Sequence, residues 1–227
     1  MQVVAFVHFG VLALSRPHLS IIGAGKFGMV LARAAVEADY DVVLARSGDP
    51  ADIEMMVEIL APGARAVTRD AALAHAHLII LAVPTTRFRE LPGDLFAGKV
   101  LVDTMNYWAV TDGRLPDFVE APAETSLVVQ RHFASAKVVK SLNQLGYHQF
   151  RDERRPAGAP GRIAMAAAGD DRDAVRSVLH LIDRLGFDPV DAGPLAAGAA
   201  LGPGGPAFGV VETRERLRET LGLAPAA

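Results

Sequence analysis

The sequence predicts an α/β fold in which helices cover both faces of a doubly wound, mostly parallel sheet. Three observations carry this prediction. Short apolar runs alternate with segments that repeat apolar residues at helical spacing, which implies right-handed crossovers within one sheet. The clearest run, His77–Val83, is apolar almost throughout, as a strand buried on both faces requires. The 227 residues are 51% hydrophobic and 22% charged, which suffices for one large core.

A glycine-rich turn follows the first predicted strand, Leu19–Ile22. Gly23-Ala-Gly25-Lys-Phe-Gly28 leads from this strand into a helical pattern, and that order is the dinucleotide-binding fingerprint of Rossmann-type folds. Gly23 allows the tight turn, Gly25 lets a pyrophosphate approach the backbone, and Gly28 lets the helix pack against the strand. The N-terminus of the helix, which includes Lys26 and Phe27, then faces the phosphates. We therefore predict nucleotide binding at residues 23–28.

The remaining elements follow in chain order. Apolar residues from Val30 to Ala38 predict the first helix. Further strands are predicted at Asp41–Ala45, Arg65–Thr68, His77–Val83, Lys99–Asp103, Lys137–Leu142, Ile163–Ala168 and Phe187–Asp191. Further helices are predicted from Asp49, a candidate N-cap, to Leu60, from Asp70 to Ala76, from Asp170 or Asp171 to Leu185, and near Val210–Leu221. Since Pro189 cannot donate to a ladder, the last strand is expected at an edge.

Residues 18–227 are interpreted as a single domain, preceded by an apolar extension, residues 1–17, without a catalytic role. The extension has no clear early positive charge or cleavage site of a signal peptide, and it is short for a membrane span. The net charge of −3 gives no electrostatic case for nucleic acid, and the absence of cysteine excludes disulfides, zinc–thiolate sites and thiol catalysis. We expect a cytoplasmic protein with no membrane partner and no metal site.

The end of the second strand indicates which nucleotide binds. A site specific for NAD usually carries Asp or Glu there to bind the ribose 2′-hydroxyl, but this strand ends in Ala45-Arg46-Ser47. Arg46 offers a planar cation and Ser47 a hydroxyl, and both suit a 2′-phosphate. The alternative for Arg46 is a solvated surface arginine. The sequence therefore favours NADP over NAD.

Two later strand ends fall at the same edge of the predicted sheet. Ala82, Val83 and Pro84 follow one of these strands, either as a flat wall along the cofactor or as a simple turn. Asp103-Thr-Met-Asn106 ends the next strand, where Asn106 can hydrogen-bond the nicotinamide ribose or carboxamide and Asp103 is expected to be a turn or capping residue. Tyr107 and Trp108 either cover a bound ring or make a core or dimer contact, which leaves a homodimer open.

With these residues in place, the chain resembles the NADP-dependent oxidoreductases of the coenzyme F420 (deazaflavin) family from about Leu19 to Gly209. The segments that carry the resemblance are Ile22–Gly28, Gly98–Asn106, Val138–Asn143, Gly186–Leu195 and Pro203–Gly209. The resemblance implies hydride exchange between NADP(H) and a flavin-like ring. It implies a crevice formed by Ala82–Pro84, Met105, Asn106, Asn143 and the glycine-rich segment after Asp191. The same unit is similar to the NADPH domain of membrane metalloreductases, so the family leaves the acceptor open.

Transfer of a hydride between two rings requires stacking and exclusion of water rather than a nucleophile or a metal. Asn106 and Asn143 are the candidate positioning residues. Four arginines, Arg151, Arg154, Arg155 and Arg162, either meet the acidic tail of the deazaflavin coenzyme or form a solvated charged loop, and the second interpretation is favoured. The other functions considered are an NADP(H)-binding sensor or partner subunit without catalysis, and an NADPH-dependent flavin or metal reductase. The retained asparagines and Gly-Pro segments favour an enzyme.

Overall fold

The computed structural model describes residues 16–120 and 125–224, and its strands form one eight-stranded sheet. The strands are β1 (His18–Ile22), β2 (Asp41–Ala45), β3 (Arg65–Ala66), β4 (Leu78–Leu81), β5 (Val100–Asp103), β6 (Lys137–Ser141), β7 (Ala164–Gly169) and β8 (Asp188–Asp191). Their order is β3-β2-β1-β4-β5-β6-β7-β8, and every neighbouring pair is parallel except β6 and β7. The predicted mostly parallel, doubly wound α/β fold is confirmed. Of the predicted extension, residues 1–15 lie outside the described residues.

Helices occupy both faces of the sheet. They are α1 (Lys26–Glu37), α2 (Ala51–Leu60), α3 (Arg69–His75), α4 (Ala109–Asp112), α5 (Pro116–Glu120), α6 (Thr125–His132), α7 (Tyr147–Asp152), α8 (Arg172–Arg184) and α9 (Arg214–Thr220). Short 3-10 helices span Phe88–Glu90, Gly93–Phe96 and Leu195–Leu201. The sequence did not predict α4 to α7, which follow β5 and β6. Within residues 16–120 and 125–224, no helix is long and apolar enough to cross a membrane.

Side-chain acceptors lie at the start of three of the helices. The N-cap residue of α2 is Pro50 rather than the predicted Asp49, and Asp49, just before it, accepts a hydrogen bond from the Ala51 N–H at 2.9 Å. Asp171 caps α8 and accepts from the backbone N–H groups of the second and third residues of that helix. Thr68 accepts from the Ala71 N–H at 3.2 Å and therefore caps α3. The predicted strand Arg65–Thr68 was too long, since Thr68 belongs to the start of a helix.

Two apolar layers sandwich the sheet. Alternate residues of β1 face opposite layers, with Leu19 and Ile21 in one and Ile22 in the other. The first layer receives α1, α2, α7 and α8, and the second receives α3, α5 and α6. Burial of a large side chain such as Phe150 contributes about 1.5–3 kcal/mol, so these layers dominate the stability of the fold. A smaller cluster joins α9 and the Leu195–Leu201 helix to β7 and β8.

The arginine-rich loop before β7 is not the solvated segment that the sequence favoured. The Arg162 side chain is only 5% exposed, and its Nη1 contacts Asp183 Oδ1 at 2.9 Å and Asp188 Oδ1 at 2.7 Å. Arg154 is also largely buried and binds Glu37 Oε2 on α1 at 2.6 Å. These two arginines pin the loop to the body of the protein, whereas Arg151 stays exposed beside its neighbour Asp152. The solvated interpretation is therefore wrong for Arg162 and Arg154.

Candidate active site

The turn between β1 and α1 needs glycine at two positions for the fold itself. Gly23 has φ of 122°, a conformation that L side chains rarely adopt, and a Cβ there would lie 2.1 Å from the Ala82 carbonyl oxygen. A Cβ at Gly28 would lie 2.0 Å from the Gly23 carbonyl oxygen. At Gly25, by contrast, a Cβ would meet no atom within 4 Å. The space next to Gly25 is open, as the approach of a pyrophosphate requires.

The N-terminus of α1 is left without a protein cap. Gly25 is the N-cap residue and supplies no side chain, and the first turn of α1 contains no acidic residue. The first N–H groups of such a helix are unpaired and carry a positive partial charge that favours an anion. The side chains of the next two residues point elsewhere: Lys26 Nζ lies 5.7 Å from the ring centroid of Tyr147, and the Phe27 ring packs edge-on against Phe150. In this arrangement the backbone N–H groups of Lys26 and Phe27, rather than their side chains, face the open space at Gly25.

A cavity of about 540 Å³ opens at the carboxyl edge of β1, β2 and β4. The predicted site residues that line it are Gly23, Gly25, Arg46, Ser47, Ala82, Val83 and Pro84. Thr68, Arg69 and Arg87 also line it, and the sequence had not indicated them. Because ligands of open α/β sheets bind outside the carboxyl ends of the strands, this cavity is the candidate nucleotide site.

The arginines of the cavity differ in how far their charge is neutralised. Arg87 makes a two-pronged ion pair with Glu90, at 3.0 and 2.8 Å, and this pair raises the pKa of the guanidinium. Arg69 contacts its neighbour Asp70 at 3.2 Å. Arg46 donates through Nε to the Ser47 carbonyl oxygen at 3.1 Å, and within the described part of the chain it makes no ion pair. Arg46 is thus the arginine best placed to meet an added phosphate.

A second group of polar side chains links the ends of β4, β5 and β6. Asn106 donates through Nδ2 to the Asn143 carbonyl oxygen at 2.9 Å, and Asn143 Nδ2 donates to Asn106 Oδ1 at the same distance. Asn143 Nδ2 also donates to the Leu201 carbonyl oxygen at 2.7 Å, and Thr85 Oγ1 donates to the Asn106 carbonyl oxygen at 3.1 Å. We call this arrangement the asparagine bridge. It joins four segments that are remote in sequence.

The orientation of the Asn143 amide follows from its partners. Two oxygen atoms, Asn106 Oδ1 and the Leu201 carbonyl, face one end of the amide, so that end must be the NH2 group. Asn143 Oδ1 at the other end is buried and has no partner among the described residues. The preceding residue, Leu142, has φ of 60°, a strained conformation for a leucine that turns the chain out of β6. This turn brings Asn143 into the bridge.

The residues around Asn106 divide between the core and the surface. Met105, predicted to contact the cofactor, is buried in the second apolar layer and does not line the cavity. Tyr107 packs against Phe118 with ring centroids 5.2 Å apart, so its core interpretation is supported. Trp108 is 48% exposed, and its ring lies against the ring of Phe208 with centroids 5.7 Å apart. The pair of Trp108 and Phe208 forms an aromatic surface that begins two residues beyond the asparagine bridge.

A group of potential metal ligands lies at the opposite, amino edge of the sheet. Ligand atoms of His18, Asp41 and His75 lie within 4.8 Å of one another. The two imidazole rings are stacked, with centroids 4.5 Å apart and planes 10° apart, so their in-plane lone pairs do not converge on one point. Asp41 Oδ1 is already paired with Arg65 at 2.9 Å. In this arrangement the group ties β1, β2 and α3 together, through contacts of His18 Nδ1 with the His75 carbonyl oxygen and of His75 Nε2 with the Asp41 carbonyl oxygen.

Comparison with known proteins bears on the family and the fold. Residues 18–107 match the family model described as NADP oxidoreductase, coenzyme F420-dependent, which confirms the resemblance predicted from the sequence over this part of the chain. A segment of 43 residues is 46% identical to "Putative protein YjhV" of Escherichia coli (strain K12), but it covers 19% of this chain and only 31% of that protein.

Solved structures extend the likeness to most of the chain. A hypothetical protein from Sinorhizobium meliloti superposes with a TM-score of 0.77 at 28% identity, over 88% of this chain and 97% of that one. A "putative f420 dependent nadp-reductase" from Arthrobacter sp. FB24 superposes with a TM-score of 0.67 at 24% identity, over 80% of this chain and 86% of that one. The second likeness shows the fold alone. The family match over residues 18–107 supports an NADP-dependent oxidoreductase, and the solved structures support the fold.

Proposed function

We propose that this protein transfers a hydride between NADP(H) and a deazaflavin or flavin-like acceptor. The observation that carries the proposal is the asparagine bridge, because it lies at the same sheet edge as the nucleotide cavity. Its members follow β5 and β6, while the cavity opens at β1, β2 and β4. A dinucleotide bound along this edge would therefore extend from the glycine turn toward the two asparagines.

The residues of the cavity fit the parts of NADP(H) in order. The open space at Gly25 and the uncapped N-terminus of α1 suit the pyrophosphate. Arg46 and Ser47, with Arg69 nearby, suit the 2′-phosphate, since a guanidinium binds phosphate oxygens in a planar fork. Ala82–Pro84 provide a narrow wall toward Asn106. The cofactor supplies the hydride when it is bound, and the chain supplies binding, orientation and exclusion of water.

The acceptor side of the proposal rests on the family match and on the surface beside the bridge. Trp108 and Phe208 offer an exposed aromatic surface, and planar rings stack well on aromatic side chains. The mutual hydrogen bonds of Asn106 and Asn143 fix the ends of β5 and β6 relative to each other. Since transfer between stacked rings depends on distance and alignment, a rigid bridge of this kind is what the reaction needs from the protein.

The proposal is tested by mixing the purified full chain with NADPH and one oxidised acceptor under anaerobic conditions. The acceptors are coenzyme F420, its deazaflavin core, FMN, FAD and riboflavin, followed by ferric and cupric chelates, and NADPH absorbance reports turnover. The matched control is Gly25→Val, which places a side chain in the open space, where an added Cβ meets no protein atom within 4 Å.

We expect saturable NADPH oxidation with the deazaflavin or with a flavin, and none in the Gly25→Val control. Turnover with the metal chelates alone would favour a metal reductase. Tight NADPH binding without turnover of any acceptor would favour the alternative of a sensor or partner subunit.

A further inference from the structure

A buried lysine lies directly beneath the asparagine bridge. Lys140 is in β6 and is 2% exposed, and its nearest carboxylate, Asp103 in β5, is 1% exposed. The two residues are partners across the β5–β6 ladder, and Lys140 Nζ lies 3.4 Å from Asp103 Oδ2. Removing two charges from water is costly, and well-packed apolar residues often give equal or greater stability. The pair therefore calls for an explanation other than stability.

The Lys140–Asp103 pair holds Met105, the residue before Asn106, at both its backbone N–H and its carbonyl oxygen. Lys140 Nζ donates to the Met105 carbonyl oxygen, and Asp103 Oδ1 accepts from the Met105 N–H at 2.9 Å. Ser126 Oγ on α6 donates to Asp103 Oδ2 at 3.2 Å and completes the set. Because Met105 is held at its N–H and its carbonyl, the position of Asn106 depends on the ion pair.

The aliphatic stem of Lys140 supports the other side of the bridge. The 3-10 helix Leu195–Leu201 packs against this stem so closely that a Cβ at Gly198 would lie 2.9 Å from Lys140 Cβ. The last carbonyl of that helix, at Leu201, accepts the Asn143 amide at 2.7 Å. One side chain thus contacts two of the four segments that the asparagine bridge joins.

We propose that Lys140 and Asp103 form a positioning pair, which holds the asparagine bridge in register and thereby aligns the nicotinamide end of the cofactor with the acceptor. The inference rests on the proposed function. Neither residue lines the nucleotide cavity, so the pair acts through Met105, Asn106 and Leu201 rather than on the reacting atoms. Burial lowers the pKa of Lys140, and Asp103 opposes this effect and favours the charged form. Each member of the pair therefore depends on the other.

The test compares substitutions that separate charge, packing and folding. Lys140→Met and Asp103→Asn each remove one charge, and the double variant removes both. Gly198→Ala keeps both charges but forces the 3-10 helix away from the Lys140 stem. The matched control is Lys137→Met, the same substitution in the same strand, where the side chain is 42% exposed and pairs with Asp171 at 2.9 Å.

Each variant is measured for Tm, for NADPH affinity, for the emission of bound NADPH, and for the single-turnover rate with the acceptor identified for the wild type. Lys140→Met should lower Tm, because it leaves a buried carboxylate without its partner. The double variant should recover Tm and keep wild-type NADPH affinity, since the phosphate contacts lie at the other end of the site. Its rate should still be slower by about 10- to 100-fold, as expected for a misplacement near 1 Å. Gly198→Ala should show the same rate loss, and Lys137→Met none.

A double variant with wild-type Tm and wild-type rate would overturn the inference, and so would a wild-type rate in Gly198→Ala. If the double variant does not fold, the single-turnover rate of Gly198→Ala decides whether the inference holds, because this variant keeps both charged side chains. If the wild type binds NADPH without reducing any acceptor, the proposed function fails. The positioning role is then judged by emission, where unchanged emission of bound NADPH in both variants would contradict it.

Discussion

Replacing Arg46 with alanine tests whether the cofactor is NADP. Arg46 follows β2 directly, lines the cavity and makes no ion pair within the described residues. A hydrogen bond to a charged group contributes about 1.5–3 kcal/mol, and solvent screening at this exposed position lowers the expected loss to about 1–3 kcal/mol. At about 1.4 kcal/mol for each factor of ten, NADPH should bind about 5- to 150-fold more weakly. NADH has no 2′-phosphate, so its affinity should stay the same.

The assay is isothermal titration calorimetry. Wild type and Arg46→Ala are each titrated with NADPH and with NADH, at low and at high salt. Arg33→Ala is the matched control, because Arg33 is an exposed arginine on α1 that pairs with Glu37 at 3.0 Å and does not line the cavity. The preference of the wild type for NADPH should weaken as salt rises, since a partly exposed ionic contact is screened. That salt dependence should be smaller in Arg46→Ala.

Equal losses for NADPH and NADH would refute the assignment of Arg46 to the 2′-phosphate. A loss of the same size in Arg33→Ala would refute it as well, because the effect would then reflect net charge. If Arg46→Ala keeps the preference for NADPH and Arg69→Ala loses it, the phosphate contact belongs to the start of α3 rather than to the end of β2.

Three further predictions concern the glycine positions of the site and two buried side chains elsewhere in the fold. Gly25→Val should keep the wild-type Tm and lose the NADPH-induced rise in Tm, whereas Gly28→Ala should lower Tm itself, because its Cβ would lie 2.0 Å from a backbone oxygen. Arg162→Met should lower the free energy of unfolding in urea by about 2 kcal/mol, since its carboxylate partners are only partly buried. Burial raises the pKa of Tyr40, so a spectrophotometric titration should show one tyrosine ionising last, and Tyr40→Phe should abolish that step. Because the pKa of Tyr40 is higher in the folded than in the unfolded protein, the stability that its protonated form contributes should be lost as pH rises above the unfolded pKa. If Tyr40 ionised together with the other tyrosines, the predicted shift of its pKa would be contradicted.

The sequence predicted best those strands whose residue pattern can be recognised without knowing which strands lie beside them in the sheet. Asp41–Ala45 is β2 as predicted, because its apolar run is bounded by a charged residue at each end. The stretch from 107 to 136 was left without helices, since α4 and α5 are too short for apolar periodicity to reveal them. The antiparallel direction of β7 was also missed. The direction of β7 depends on the path that α7 and the loop held by Arg154 and Arg162 take from β6 to β7. Local sequence patterns carry no information about that path.

The glycine turn and strand-end residues that line the candidate nucleotide cavity could be predicted because their sequence signals are local. Gly23 and Gly25 lie between β1 and α1, Gly28 lies in the first turn of α1, and Arg46 directly follows β2. Thr68 and Arg69 were missed because they reach the cavity only through the pairing of β3 beside β2. Lys140 was missed for a related reason. A lysine within a strand usually faces solvent, and only the central place of β6 in the sheet buries it.

The two halves of the site depend on different interactions, and this difference bears on specificity. The cradle at residues 23–28 is defined by backbone geometry, where Gly28 cannot change without moving the chain. The proposed acceptor half is built instead on side-chain hydrogen bonds among Asn106, Asn143 and the Leu201 carbonyl. Exchanging those side chains alters the polar groups presented to a ring while the sheet beneath stays in place. Acceptor specificity should therefore follow the asparagine bridge and the 3-10 helix behind it, and nucleotide binding should follow the glycine cradle.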